Sequence, residues 1–146
     1  MPKMSRVLIL LALAVSLVIG VVLVGGCTTP EPEPTQIILN LTPQQAFDLI
    51  QNNANDIDFL IIDVRTPEEF ADGHIENAIM INFYSETFRD NIGNLDRNKT
   101  YLIYCDVGNR SGVTLALFEE LGFMEVYNMS GGLNIWLQEG LPVVTD

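Results

Sequence analysis

Tyr101-Leu102-Ile103-Tyr104-Cys105-Asp106-Val107-Gly108-Asn109-Arg110-Ser111 is the stretch that decides how this chain folds. Four apolar residues of strand-forming type lead into a cysteine, a short glycine-containing loop, an arginine, and a helix expected to run from Ser111 to Leu121. That order sets a thiol at the carboxyl end of a strand, facing successive backbone N–H groups and the positive end of a helix dipole. Such a cradle favours the thiolate, which is the nucleophilic form of cysteine. Without the loop, a cysteine in an apolar segment would read as an inert core residue. Cys105 is therefore the candidate nucleophile. Two conditions attach to that reading: the amides must turn inward, and the sulfur must be open to solvent.

Outward from this stretch the chain alternates strand and helix. Ile37-Ile38-Leu39 is a short strand, and Thr42-Pro43-Gln44-Gln45 starts a helix with an N-cap, a proline at the first helical position and a capping-box glutamine. Phe59-Leu60-Ile61-Ile62, ended by Asp63, is a continuous apolar run suited to a central strand. Thr66-Pro67-Glu68-Glu69 repeats the capping chemistry. Residues 78–83 read as a strand, 84–95 as a loop with some helix, and Val126-Tyr127 as a last short strand. Gly131-Gly132 precedes a helix carrying Ile135, Trp136 and Leu137. Interleaved strands and helices predict an α/β domain with a mostly parallel sheet covered on both faces. Ligands bind such sheets at the carboxyl ends of strands, where Cys105 lies.

Asp63-Val64-Arg65-Thr66-Pro67-Glu68-Glu69-Phe70, with Gly73-His74-Ile75, resembles the upstream motif of the rhodanese family. The cysteine loop and Gly131-Gly132 with Trp136 resemble its active-site and C-terminal motifs. The resemblance implies a single rhodanese-like domain with a five-stranded sheet flanked by helices on both faces. It also implies sulfurtransferase chemistry. The Cys105 thiolate attacks the outer sulfur of a sulfane donor, becomes a persulfide, and yields that sulfur to a thiol or cyanide acceptor. Backbone N–H groups from Asp106 through Val107, Gly108 and Asn109 to Arg110 would form the anion nest. Arg110 would either bind an anionic donor or brace the loop. Four residues separate Cys105 from Arg110. That loop size suits a sulfur atom, whereas the related phosphatases and arsenate reductases carry one residue more. No cofactor is implied.

Asp106 departs from the family pattern, which often has a basic residue just after the cysteine. A carboxylate there should raise the thiol pKa and repel thiosulfate. A persulfide, a polysulfide or a partner protein is then at least as suitable a donor. The other readings are a binding or sensory module using the same fold without turnover, and redox signalling at an exposed thiol. Asp63, Arg65 and Glu69 read as an ion-pair and hydrogen-bond set that fixes the strand-to-helix turn, rather than as an acid/base group. His74, the only histidine, reads as structural. No Cys/His cluster has metal-ligand spacing.

The N-terminus sets topology. Lys3 and Arg6 precede an uncharged apolar run from Val7 to Val24, which ends in Val24-Gly25-Gly26-Cys27. The ending resembles the lipobox of prokaryotic lipoproteins, which implies cleavage before Cys27 and lipidation of its sulfur. An uncleaved apolar anchor is the alternative, since a run of 18 residues is at the short end of what spans a bilayer. Residues 1–26 are thus a signal peptide or anchor, 27–36 a Pro/Glu-rich tether, and 37–146 the domain. The tether favours polyproline II and would hold the domain about 28 Å off the membrane. Both readings place the domain outside the cytoplasm. From residue 27 onward the chain has 5 Lys/Arg against 19 Asp/Glu, a balance that argues against nucleic acid as a partner. If Cys27 is lipidated, Cys105 has no cysteine left to pair with.

Overall fold

Two apolar runs, Phe59-Leu60-Ile61-Ile62 and Tyr101-Leu102-Ile103-Tyr104, have no polar side to offer water, so both must lie inside a covered sheet. The computed structural model describes residues 35–145 and places them as neighbours. β2 (Phe59–Asp63) pairs in parallel with β4 (Thr100–Tyr104), with Phe59 opposite Thr100 and Asp63 opposite Tyr104. β5 (Glu125–Met129) flanks β4, β1 (Ile37–Leu41) flanks β5, and the short β3 (Ile79–Met80) flanks β2. The order β1-β5-β4-β2-β3 is parallel at every pairing.

Four helices join these strands, α1 (Pro43–Asn52), α2 (Pro67–Ala71), α3 (Phe88–Gly93) and α4 (Asn109–Glu120), and α5 (Gly132–Gln138) follows β5. Both capping boxes form, Thr42 with Gln45 at α1 and Thr66 with Glu69 at α2. Period-two alternation divides the sheet's side chains between two cores. Tyr101, Ile103 and Cys105 join Ile62, Val64 and Val126 on one face, under Phe88 and Ile92 of α3 and Leu115 and Phe118 of α4. Leu102, Tyr104 and Met129 join Phe59 and Ile61 on the other, under Ala46 of α1 and Leu133 and Trp136 of α5. Each such fully buried apolar side chain contributes about 1.5–3 kcal/mol. An aromatic trio closes the first core, with ring centroids of Phe118 and Phe123 4.5 Å apart and Tyr101 beside both.

Several element boundaries differ from the sequence reading, β1 among them, which runs on from Leu39 to Leu41. The strand expected over 78–83 is only Ile79–Met80. Ile81 and Phe83 still donate backbone hydrogen bonds to Asp63 and Val64, but the Asn82 side chain accepts from Tyr84 N–H and turns the chain away. The helix expected from Ser111 begins at Asn109 and ends at Glu120, because Gly108 takes the N-cap position. β5 is longer than Val126-Tyr127, its ladder to β1 running from Glu125 to Met129. The apolar run 7–24, Cys27 and all of the expected tether except Thr35 and Gln36 lie outside the described residues. Gln36 is tied to the domain, its Nε2 donating to the carbonyls of Glu119 (3.1 Å) and Phe123 (2.8 Å).

Candidate active site

Cys105 follows β4 directly, and strand alternation turns it to the α4 face of the sheet. From there the chain must reverse into α4 within three residues. Gly108 makes the turn at φ +93°, a left-handed conformation in which a Cβ would also sit 3.1 Å from the backbone nitrogen of Gly131. The reversal brings donors onto the sulfur. Gly108 N–H donates to Cys105 Sγ at 3.1 Å, and the Ser111 hydroxyl donates to it at 3.5 Å.

A second helix fixes the loop from behind. At the start of α5, Leu133 N–H donates to the Cys105 carbonyl (2.8 Å) and Asn134 N–H to the Asp106 carbonyl (2.9 Å). Only glycine fits at position 132. A Cβ there would lie 2.5 Å from both carbonyl oxygens, at a φ of +61°. The Gly131-Gly132 doublet is therefore a seat for the cysteine loop.

Burial works to raise the Cys105 pKa, but hydrogen bonds from the Ser111 hydroxyl and from the backbone N–H groups of Ser111, Gly108 and Val107 outweigh it. The thiol ends below its ordinary range. The first condition on the sulfur, inward amides, is met. The second is not. Cys105 has 0 % exposure, because it packs with Val64, Leu115 and their neighbours as part of the core. Reaction with a donor needs an opening of this resting conformation. Asp106, Val107 and Asn109 are exposed on the loop's outer side.

Arg110 does not stand free for an anion. Its guanidinium grips Glu69 at both oxygens, at 2.6 and 2.8 Å, and lies 5.7 Å from the Tyr84 ring. The Arg110 hydrogen bonds hold the Glu69 carboxyl down at about 2, and the same contact raises the Arg110 pKa. Of the two roles open to Arg110, the geometry shows the brace. Glu69 keeps its expected place at the strand-to-helix turn and adds a contact beyond it. It serves the α2 cap and the cysteine loop together, accepting also from Thr66 N–H at 3.0 Å.

Asp63 and Arg65 do form the expected pair, on the opposite face of the sheet from the sulfur. Arg65 Nη2 lies 2.7 Å from Asp63 Oδ2 and 2.7 Å from the Gly73 carbonyl, and both residues are buried. Tyr104, opposite Asp63 in register, accepts from Ile75 N–H at 3.1 Å. His74 stacks on Phe70 at 3.7 Å, with its Nδ1 3.0 Å from the Phe70 carbonyl. The sulfur takes its hydrogen bonds instead from Val107, Gly108 and Ser111. Ser111, read in the sequence only as a helix start, is the functional residue that was missed. A hydroxyl six positions after the cysteine and one turn into the helix was the available signal.

A lone thiol (the one cysteine among the described residues), drawn toward its anion by a loop at the carboxyl end of a central parallel strand, marks an α/β domain with a candidate cysteine nucleophile. Within that class the chain belongs to the rhodanese-like domain family, which matches residues 42–139. It is 33 % identical over 96 residues to a protein of Allochromatium vinosum named sulfurtransferase, covering 66 % of this chain and 88 % of that one. A Pseudomonas aeruginosa protein named thiosulfate sulfurtransferase GlpE is 33 % identical over 66 % of this chain and 81 % of its own length. Among solved structures, a rhodanese-related protein from Thermoplasma volcanium aligns with a TM-score of 0.63 at 29 % identity, covering 73 % of this chain and 98 % of that one. A rhodanese-like domain protein from Staphylococcus aureus aligns at 0.57 and 31 % identity, covering 73 % and 97 %.

Proposed function

We propose that this protein is a sulfurtransferase that carries sulfane sulfur as a persulfide on Cys105. The observation that carries the reading is the convergence of Gly108 N–H and the Ser111 hydroxyl on one sulfur, in a loop with four residues between Cys105 and Arg110. In the first step the thiolate attacks the outer sulfur of the donor, and the rest of the donor leaves with the bonding electron pair. In the second, a thiol or cyanide acceptor takes the outer sulfur and Cys105 returns to thiolate. The curated relatives' names favour thiosulfate as donor. The Asp106 carboxylate and the engagement of Arg110 by Glu69 favour a persulfide or polysulfide, small or protein-borne, over that dianion. Mass spectrometry after incubation with polysulfide and with thiosulfate decides the matter. Gain of one sulfur atom at Cys105, absent in Cys105→Ser, is the expected result, and no adduct with either donor rejects the reading.

The lipobox-like Val24-Gly25-Gly26-Cys27 and the basic, apolar leader before it support a lipid-tethered, extracytoplasmic domain. Loss of membrane association and of acyl labelling in Cys27→Ala is the check. If the variant stays membrane-bound, the segment is an uncleaved anchor.

The complete burial of Cys105 favours a second reading, a rhodanese-fold binding module without turnover. Alkylation of native protein separates the two. A thiol that reacts near neutral pH, at a rate following its ionisation, belongs to an enzyme. One that reacts only on unfolding belongs to a scaffold.

A further inference from the structure

The outward side of α4 carries apolar residues between its two charged ends, Arg110 and Glu120, where a surface helix ordinarily shows polar residues to water. Positions 110, 113, 116, 117 and 120 share that side, at the three- and four-residue spacing that aligns helical side chains. Val113 is 62 % exposed there, and with Phe83, Phe88, Ala116 and Leu117 it lines a shallow groove of about 370 Å³ between α3 and α4. Phe83 and Tyr84 link the groove to Arg110 at the end of the cysteine loop. Tyr84, 67 % exposed, packs edge-on against Phe83 and lies beside the Arg110 guanidinium, and Val107 of the cysteine loop is itself half-exposed. Exposed apolar side chains in one contiguous strip, unlike scattered ones, mark an interaction surface.

Charge identifies the partner. Both cations bordering the strip are engaged, Arg110 by Glu69 and Arg89 by Glu120. Asp106 at the loop and Glu86, two residues beyond Tyr84, are exposed, and neither makes an ion pair among the described residues. The described residues carry 5 Lys/Arg against 16 Asp/Glu. An acidic field around an apolar strip steers in a basic protein and disfavours an acidic one.

We propose that this strip is the docking surface for a protein thiol acceptor whose reactive cysteine lies in an apolar segment bordered by basic residues. The inference rests on the persulfide reading of Cys105. The docked partner's thiolate attacks the outer sulfur of the persulfide and forms the new S–S bond. The old S–S bond breaks with its electron pair returning to Cys105 Sγ, and the proton on the outer sulfur stays with the partner's persulfide. No oxidant or reductant is consumed.

Two fluorescein-labelled peptides test docking without requiring a loaded sulfur. One is Lys-Lys-Leu-Ser-Leu-Val-Lys-Lys, and the other has Glu for every Lys, with Ser standing for the acceptor cysteine. The full chain should bind the basic peptide at least about tenfold tighter in low salt, with the gap closing as salt rises. Val113→Asn should weaken that binding about fivefold while leaving the alkylation rate of Cys105 unchanged. Val113→Lys should weaken it further. In the transfer assay, with cysteine restored to the basic peptide, Val113→Asn should slow sulfur delivery to the peptide but not to dithiothreitol. Equal binding of the two peptides, or indifference to both Val113 variants, overturns the proposal. Failure of Cys105 to take up sulfur would instead end the sulfurtransferase reading, while the binding arm still decides the surface.

Discussion

Replacing Gly132 by alanine should damage the protein far more than one methyl group suggests. The added Cβ would lie 2.5 Å from the carbonyl oxygens of Cys105 and Asp106 and 2.6 Å from the Asp106 carbonyl carbon, all of them backbone atoms with no rotamer to retreat into. Holding alanine at φ +61° costs about 1–2 kcal/mol. Relieving the overlap costs about 1–3 kcal/mol. Parting the loop from α5 stretches the bonds from Leu133 and Asn134 N–H, each worth about 0.5–1.5 kcal/mol. The last two contributions overlap, since moving the loop is what stretches the bonds, so the expected loss is about 3–5 kcal/mol. Gly140 supplies the control, with a similar φ of +73° and nothing within 4 Å of a Cβ. Gly140→Ala should cost only the conformational part, about 1–2 kcal/mol. Urea unfolding at constant m-value measures both. Because the sulfur is sealed at rest and the loop is parted from α5, Gly132→Ala should also speed alkylation of Cys105 in native buffer, and Gly140→Ala should not. Equal destabilisation by the two alanines would refute the idea that α5 seats the cysteine loop.

Ser111→Ala removes one donor from the sulfur, and at 3.5 Å that bond sits at the weak end for a charged acceptor, so alkylation near pH 7 should fall about three- to tenfold and recover in Ser111→Thr. An unchanged rate would remove the hydroxyl from the account. Glu69 is held at about 2 against an ordinary 4.5, so its contribution to stability is fully present above pH 4.5 and is lost as pH falls toward 2. Glu69→Gln keeps an oxygen for the α2 cap but loses the ion pair. Urea unfolding should show it about 1 kcal/mol less stable at pH 7, the pair being partly exposed, with a flatter acid limb between pH 4.5 and 2. Asp106→Arg should raise thiosulfate turnover in a steady-state assay. If it does not, the carboxylate is not what disfavours that donor.

The architecture was legible because its signals are local. Thr42-Pro43 with Gln45 and Thr66-Pro67 with Glu69 announce helix starts by their own chemistry, and the short apolar runs at 59–62 and 101–104, rich in strand-forming residues, read as covered strands. Boundaries failed where a single side chain or dihedral overrode propensity. Asn82 ends β3 with a side-chain turn, and Gly108 starts α4 before Ser111. The site was legible down to the thiol and its loop. What stayed hidden was long-range. Arg110 meets a glutamate 41 residues away, and the Gly131-Gly132 doublet meets the loop only once the sheet order is known. Neither pairing has a periodic trace. The burial of Cys105 was unreadable for the same reason, since it depends on how Leu115 of α4 and Val64 after β2 close over one strand end.

Glu69 has a consequence of its own. One carboxylate closes the capping box with Thr66 and clasps Arg110 beside the sulfur, so two stretches far apart in the chain share a single rivet. Neither can be retuned alone. A substitution at Thr66, remote from any sulfur chemistry, would reach the nucleophile through that shared fastening, and a change of loop sequence around Arg110 would loosen α2 in return.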